Sequence, residues 1–323
     1  MLYPLTFVPI FQERVWGGRR LETLFKKPLP PDQRIGESWE ISDRPGAASV
    51  IANGPFTGRD LHWLMENHAE ELLGEVPSHN RRFPWLAKLL DANADLSVQV
   101  HPPADIASSL GGEPKTEVWH IARAEPEARL IAGLKRETTT EDFKAQLGQS
   151  NFPVCLHEIP ANKGDSIFIP SGRLHALGAG IVVFEIQQNS DTTFRVYDWN
   201  RTGLDGLPRK LHIDKALLSI DLADIEPHTL TPAWDSATDH SSQNIADEKS
   251  IFRIDHVRLD LSDPIPLPGQ GLRMLAVTHG RITLIGANET LTLALGQFAL
   301  VPACVEAPVV QGEGAQLLLT QAA

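Results

Sequence analysis

The segment "DLSVQVHPP" (95–103) sets a glutamine and a histidine two residues apart at the end of an apolar run. Leu96, Val98 and Val100 alternate with Ser97, Gln99 and His101, the period-2 pattern of a β-strand with one apolar and one polar face. Gln99 and His101 therefore share a face, about 7 Å apart along the strand, and Pro102-Pro103 ends it. An amide and an imidazole side by side can hold a metal ion, or they can form an ordinary solvated strand face. A second pattern bears on the choice. "GDSIFIPSGRLH" begins at Gly164 and "GQFALVPACVEA" at Gly296. Both read as glycine, five residues, proline, one residue and a small residue, so an apolar strand runs from a turn glycine into a terminating proline. The first copy ends at His175; the second has Ala307 in its place. Two copies of one β-unit, one with histidine and one without, predict two β-barrels of which the first holds a site.

The elements that must position these residues are mostly strands. The 24 glycines and 24 prolines, spread along 323 residues, work against long helices. Three helices are predicted. One covers 57–74, with Leu61, Leu64, Met65, His68 and Leu72 on one stripe and Gly74 as its stop. A second covers 138–149 behind a threonine cap, and a third covers 209–221. Residues 223–250 are polar and carry two prolines, so they read as a linker or long loop between residues 1–222 and 251–323.

A net charge of −12 and a pI near 5.4 exclude nucleic acid and anionic membranes as expected partners. An anionic small molecule would need a local basic cluster. No stretch approaches 18 uninterrupted apolar residues, and "MLYPLTFVPIFQERVWGG" lacks the basic start of a secretion signal. Cys155 and Cys304 stand in no metal-type spacing. The expectation is a cytoplasmic protein with two reduced thiols.

Gly164-x5-Pro170-x-Gly172-x2-His175 resembles the second signature of the cupin barrel. Gln99-x-His101 followed by Glu117 resembles the first, with glutamine where a histidine is usual. The resemblance implies that Gln99, His101, Glu117 and His175 converge on one divalent metal, and two imidazoles, a carboxylate and an amide oxygen suit Zn²⁺. "GESWEIS" (36–42), "FPWLAKLLDA" (83–92), "EPKTEVWHI" (113–121), "IPSGRLHALG" (169–178) and "EIQQNSDTTFRVYDWNR" (185–201) narrow it further. Together with "WGG" (16–18) they make the chain similar to the short bacterial form of the type I mannose-6-phosphate isomerases. That family implies a mainly β fold of two cupin-type jelly-roll barrels with a small helical part, one zinc per chain, a monomer or homodimer, and interconversion of mannose 6-phosphate and fructose 6-phosphate through an enediol.

The same resemblance implies residue roles. Arg195 matches an active-site arginine, which stabilises enediolate charge or holds a phosphate oxygen. Glu185 and Asp191 are the candidate bases. Lys115, two residues before Glu117, shares that ligand's face as a catalytic or substrate-binding cation. Ser97 and Lys88 fall at substrate positions. His120 and His157 read as ordinary strand residues, and His212, His228, His240 and His279 as structural or exposed. Two other readings fit the same metal set: a non-haem iron dioxygenase, and a sugar-phosphate-binding regulator that has kept the barrel. The intact ligand set and the cations Lys115 and Arg195 favour the isomerase.

Overall fold

Alternating apolar and polar residues build two antiparallel sheets from the first 200 residues. A six-stranded sheet runs in the order Ser166–Ile169, Glu117–Ala124, Ile181–Gln188, Trp85–Ala92, Ile35–Ile41, Ile10–Gly18. A five-stranded sheet runs Leu156–Pro160, Arg129–Leu134, His175–Leu177, Val98–Val100, Phe194–Tyr197. The two face each other, with Leu90, Trp119, Ile121 and Val183 from the first meeting Leu130, Ala132 and Leu177 from the second. The computed structural model describes residues 2–147, 152–234, 240–260, 263–286 and 289–323.

The C-terminal residues repeat this plan with a five-stranded sheet and a four-stranded sheet. Leu275, Val277, Leu317 and Leu319 pack there against Ile282, Leu284, Leu291 and Val310. The expected barrels are thus two pairs of open sheets, each pair sharing a core. The repeat is visible in both: Gly164 (φ 94°) and Gly296 (φ 79°) take the left-handed conformation that glycine tolerates. The strands that follow, Ser166–Ile169 and Phe298–Val301, each lie at a sheet edge.

The outer face of the six-stranded sheet is also buried. Trp85, Val118, Phe184 and Ile186 pack against Phe252, Ile254, Met274, Phe298 and Leu318 of the C-terminal sheet. Trp85 Nε1 donates to Ile251 O across this joint at 2.9 Å. The outer face of the five-stranded sheet is covered by the helices Thr140–Gln146 and Ile213–Ser219, through Phe143 and Ala216. With the outer faces of both N-terminal sheets covered, the largest open space for polar side chains lies between the two sheets.

Three expectations need correction. The helix predicted over 57–74 is two helices, Leu61–Asn67 and Ala69–Leu73. His68 breaks it, with φ −140° and Nδ1 bound to Glu71 Oε2 at 2.7 Å. The other two helices are shorter than predicted, and residues 148–149 lie outside the described residues. The polar segment 223–250 contains the strand His240–Glu248, an edge strand of the C-terminal sheet, and Leu230 exchanges two backbone hydrogen bonds with Ser166. Among its described side chains, Ile245 and Ala246 join the core, and serine, glutamine and acidic residues around them hide the pattern in the sequence. Residues 235–239 of the predicted linker lie outside the described residues.

His120 and His256 meet at the joint with ring centroids 4.6 Å apart. His120 Nδ1 binds Ser166 Oγ at 2.9 Å and His256 Nε2 binds Thr278 Oγ1 at 3.2 Å. Burial pushes both imidazoles down, His256 to about 4. Below about pH 6.5 the unfolded chain takes up protons at these rings and the folded chain does not, so stability is full above that pH and falls as pH drops towards 4. In denaturant titrations His256→Gln should lose on the order of 2 kcal/mol less than the parent between pH 7 and pH 4.5. Parallel pH profiles for the two proteins would contradict this account of the joint.

Candidate metal centre and active-site cavity

Strand register assembles the site in two rows. In the five-stranded sheet Gln99 is paired with His175 on one side and with Arg195 on the other. In the six-stranded sheet Glu185 is paired with Lys88 on one side and Trp119 on the other, and Lys88 is paired in turn with Trp39. Directly opposed residues on neighbouring strands point to the same face. Both rows point inward, so the two sheets bring His175, Gln99 and Arg195 opposite Trp119, Glu185 and Lys88.

His101, Glu117 and His175 lie at the floor, fully buried, with their donor atoms within 4.8 Å of one another. Each ring is oriented by its far nitrogen: His101 Nδ1 donates to Thr192 O and His175 Nδ1 donates to Arg173 O, both at 2.8 Å. Those bonds fix the tautomers and leave both Nε2 lone pairs facing Glu117, at 3.6 and 3.5 Å from its oxygens. Burial depresses both imidazoles, aided at His101 by the Lys115 charge, to about 3 for His101 and about 4 for His175. They are neutral at pH 7. Burial pushes the Glu117 carboxyl up, but Lys115 together with His101 and His175 holds it well below the usual range, so it stays ionised. Glu117 Oε1 is buried and accepts no hydrogen bond. An unsatisfied carboxylate oxygen beside the His175 lone pair, with the His101 ring at the other oxygen, is a donor set that fits a divalent metal. Gln99 Nε2 is 3.2 Å from His175 Nε2, so a half-turn of the amide brings its oxygen to the same place.

The cluster lies behind Gln99 and Lys115, which line an open cavity of about 880 Å³. The Lys115 ammonium contacts Glu117 Oε2, with His101 Nε2 at 3.2 Å and Glu185 Oε1 at 3.9 Å. Glu185 is pinned by Lys88 Nζ at 3.0 Å and Trp119 Nε1 at 2.8 Å. The buried Lys88 stays charged, since Glu185 and Glu37 outweigh its burial and raise its pKa. The structure therefore brings Lys88, Ser97, Gln99, Lys115, Glu185, Asp191 and Arg195 to one cavity, from both sheets. Asp191 is exposed at the mouth, whereas Glu185 is buried.

Four lining residues were not legible as site residues. Arg14 forks onto Glu37 at 2.8 and 3.3 Å, and Glu37 also accepts from Trp39 Nε1 at 2.7 Å. Burial would raise the Glu37 carboxyl, but Lys88 and Arg14 win and hold it at about 2. Arg209 and His212 also line the cavity, so His212 is not merely structural or exposed. Arg14 lies just before "WGG" and Glu37 lies within "GESWEIS", and those stretches were the available signal. Gly17 in the first explains their proximity: a Cβ there would sit 2.4 Å from Gly36 N, so the two strands touch through glycine.

A mainly β protein with a buried His-Glu-His donor set beneath a cation-rich cavity is the class that the fold and site define. A model of the phosphomannose isomerase type I catalytic domain matches residues 5–112. The mannose-6-phosphate isomerase of Streptococcus mutans is 40% identical over 236 residues, 72% of this chain and 72% of that protein. The crystal structure of the mannose 6-phosphate isomerase from Bacillus subtilis superposes with a TM-score of 0.88 at 30% identity, covering 99% of this chain and 100% of that one. A zinc-bound mannose 6-phosphate isomerase shares the fold, with a TM-score of 0.77 at 17% identity over the whole of both chains. The chain belongs to the type I mannose-6-phosphate isomerase family.

Removing the Lys88 ammonium would leave two buried carboxylates short of a partner. Lys88→Met should cost about 3–5 kcal/mol in chemical denaturation. The double variant Lys88→Met/Glu185→Gln should recover part of that loss. Equal stabilities for Lys88→Met and the parent would show that these charges are not coupled.

Proposed function

We propose that this protein interconverts mannose 6-phosphate and fructose 6-phosphate, with a zinc ion held by His101, Glu117, His175 and the amide oxygen of Gln99. The carrying observation is the buried His101, Glu117 and His175 donor set, in which Glu117 Oε1 has no hydrogen-bond donor, beneath a cavity that offers Lys115, Arg195 and Arg209 in an acidic chain. When bound, the metal supplies Lewis-acid polarisation of the sugar oxygens. The remaining roles fall to the chain. Arg195 donates to the oxygens on which enediolate charge develops. Lys115, beside Glu117 and Glu185, adds a second cation there. Glu185 takes the proton from carbon 2 and returns it at carbon 1, held in place by Lys88 and Trp119. Asp191 acts from the mouth as a field on these cations, and Ser97 contacts the sugar phosphate.

The two pairs of sheets are read as cupin-type jelly-roll barrels. The first, within residues 1–222, is catalytic. The second has Ala307 where the first has His175 and carries no metal. A cytoplasmic monomer or homodimer fits this reading, and no helix among the described residues is long and apolar enough to cross a membrane.

A coupled assay with mannose 6-phosphate should show turnover that chelator abolishes and zinc restores, without oxygen uptake. Arg195→Ala should lower kcat on the order of 100- to 1,000-fold and raise KM far less, because its donor acts on charge present only in the transition state. Oxygen consumption with a sugar substrate, or turnover indifferent to thorough chelation, would refute the reading.

A further inference from the structure

An isomerase for a sugar 6-phosphate needs an anchor for a dianion, placed away from the reacting carbons. Standard single bonds put phosphorus about 7 Å from carbon 2 in an extended open chain. Of the six lysines and arginines that line the cavity three are already engaged, and a fourth, Lys210, is exposed. Lys115 is held by Glu117, Lys88 by Glu185 and Arg14 by Glu37. Arg201 is bound to Asp198 and to Asp95 O. We propose that Arg209 and His212, beyond Arg195 in the same row, form the anchor that takes the phosphate dianion of the substrate. This rests on the isomerase reading above.

The chain geometry puts these residues at one end of the cavity. After strand Phe194–Tyr197 the chain makes a turn closed by the Thr202–Pro208 bridge and by Gly203 N donating to Leu207 O at 2.7 Å. It then returns along the outer edge of that strand, where His212 N donates to Arg195 O at 2.8 Å. This extends the row His175, Gln99, Arg195 by one more position, to His212. Neighbouring positions in such a row are about 4.8 Å apart. The row therefore starts at the metal donors and ends at His212, long enough to separate the reacting carbons from a phosphate.

The chemistry of these three residues fits an anion. Arg195 forms no salt bridge among the described residues, and its Nε is buried without a hydrogen-bond partner. Arg209 shares a single oxygen, Asp198 Oδ1, with Arg201, which takes it at 2.7 and 2.9 Å while Arg209 reaches it at 3.2 Å. One carboxylate thus serves two guanidiniums, and Arg209 keeps most of its donors. His212 Nδ1 accepts from Arg195 N at 3.2 Å, so the neutral ring carries its proton on Nε2 and offers it as a donor. Burial and the neighbouring cations lower all three groups. An arriving dianion relieves that repulsion, and a guanidinium fork matches its oxygens.

The test compares zinc-loaded parent protein with Arg209→Ala and with Arg209→Gln, which keeps a hydrogen bond for Asp198 without the charge. Steady-state kinetics with mannose 6-phosphate are read beside calorimetric titration with inorganic phosphate. Both variants should show KM raised on the order of 10- to 100-fold, with kcat within about threefold of the parent. Phosphate affinity should weaken by a similar factor, and Arg209→Lys should recover part of both losses. Unchanged KM and phosphate affinity, or a loss confined to kcat, overturns the assignment. A parent that does not turn over mannose 6-phosphate defeats the isomerase reading. The phosphate titration then decides the anchor alone: weakened binding in Arg209→Ala supports it and unchanged binding refutes it.

Discussion

The structure turns on one buried charge. Glu117 is fully buried and ionised, beside two imidazoles that burial keeps neutral. A carboxylate taken out of water costs several kcal/mol unless something positive stands by it. Lys115 meets one of its oxygens, and among the described residues none donates a hydrogen bond to the other. The rest of the N-terminal half serves that arrangement. Thr192 and Arg173 set the ring tautomers through their carbonyls, strand pairing sets Gln99 between His175 and Arg195, and two packed outer faces keep the cluster dry.

A second tier of charge lies around the first. Glu185, Lys88, Glu37 and Arg14 alternate in sign along the inner wall, and each is held by an ion-pair partner. The pattern separates two kinds of cation. Those locked in ion pairs fix the electrostatic field of the site, while Arg195 and Arg209 keep donors available to a ligand. An acidic chain can in this way accept an anionic substrate without a basic surface, because only the sign of the charge inside the cavity matters there.

Local pattern made part of this legible in the sequence and left the rest hidden. Gln99 and His101 were readable because strand alternation puts them on one face, and His175 because the Gly164 unit recurs at Gly296 without its histidine. The mainly β character followed from glycine, proline and short alternating runs. Arg209 and His212 were not readable: they reach the cavity only because a turn after Trp199 returns the chain to the edge of strand Phe194–Tyr197. Nor was the buried partnership of His120 with His256, which depends on two distant strands meeting at the joint. The strand His240–Glu248 was hidden because its exposed face is as polar as a loop. His68 fits the helical stripe by spacing, yet its side chain prefers Glu71 and ends the helix there.

The central claim is that the buried cluster exists to hold one divalent metal. Crystals of the zinc-loaded protein, measured on both sides of the zinc absorption edge, test it most directly. The account predicts one anomalous peak per chain, within bonding distance of His101 Nε2, His175 Nε2, a Glu117 oxygen and the Gln99 amide oxygen, at about 2.0–2.2 Å for the nitrogen and oxygen donors. A peak elsewhere in the chain, or none at this cluster in protein that retains isomerase activity, would contradict it.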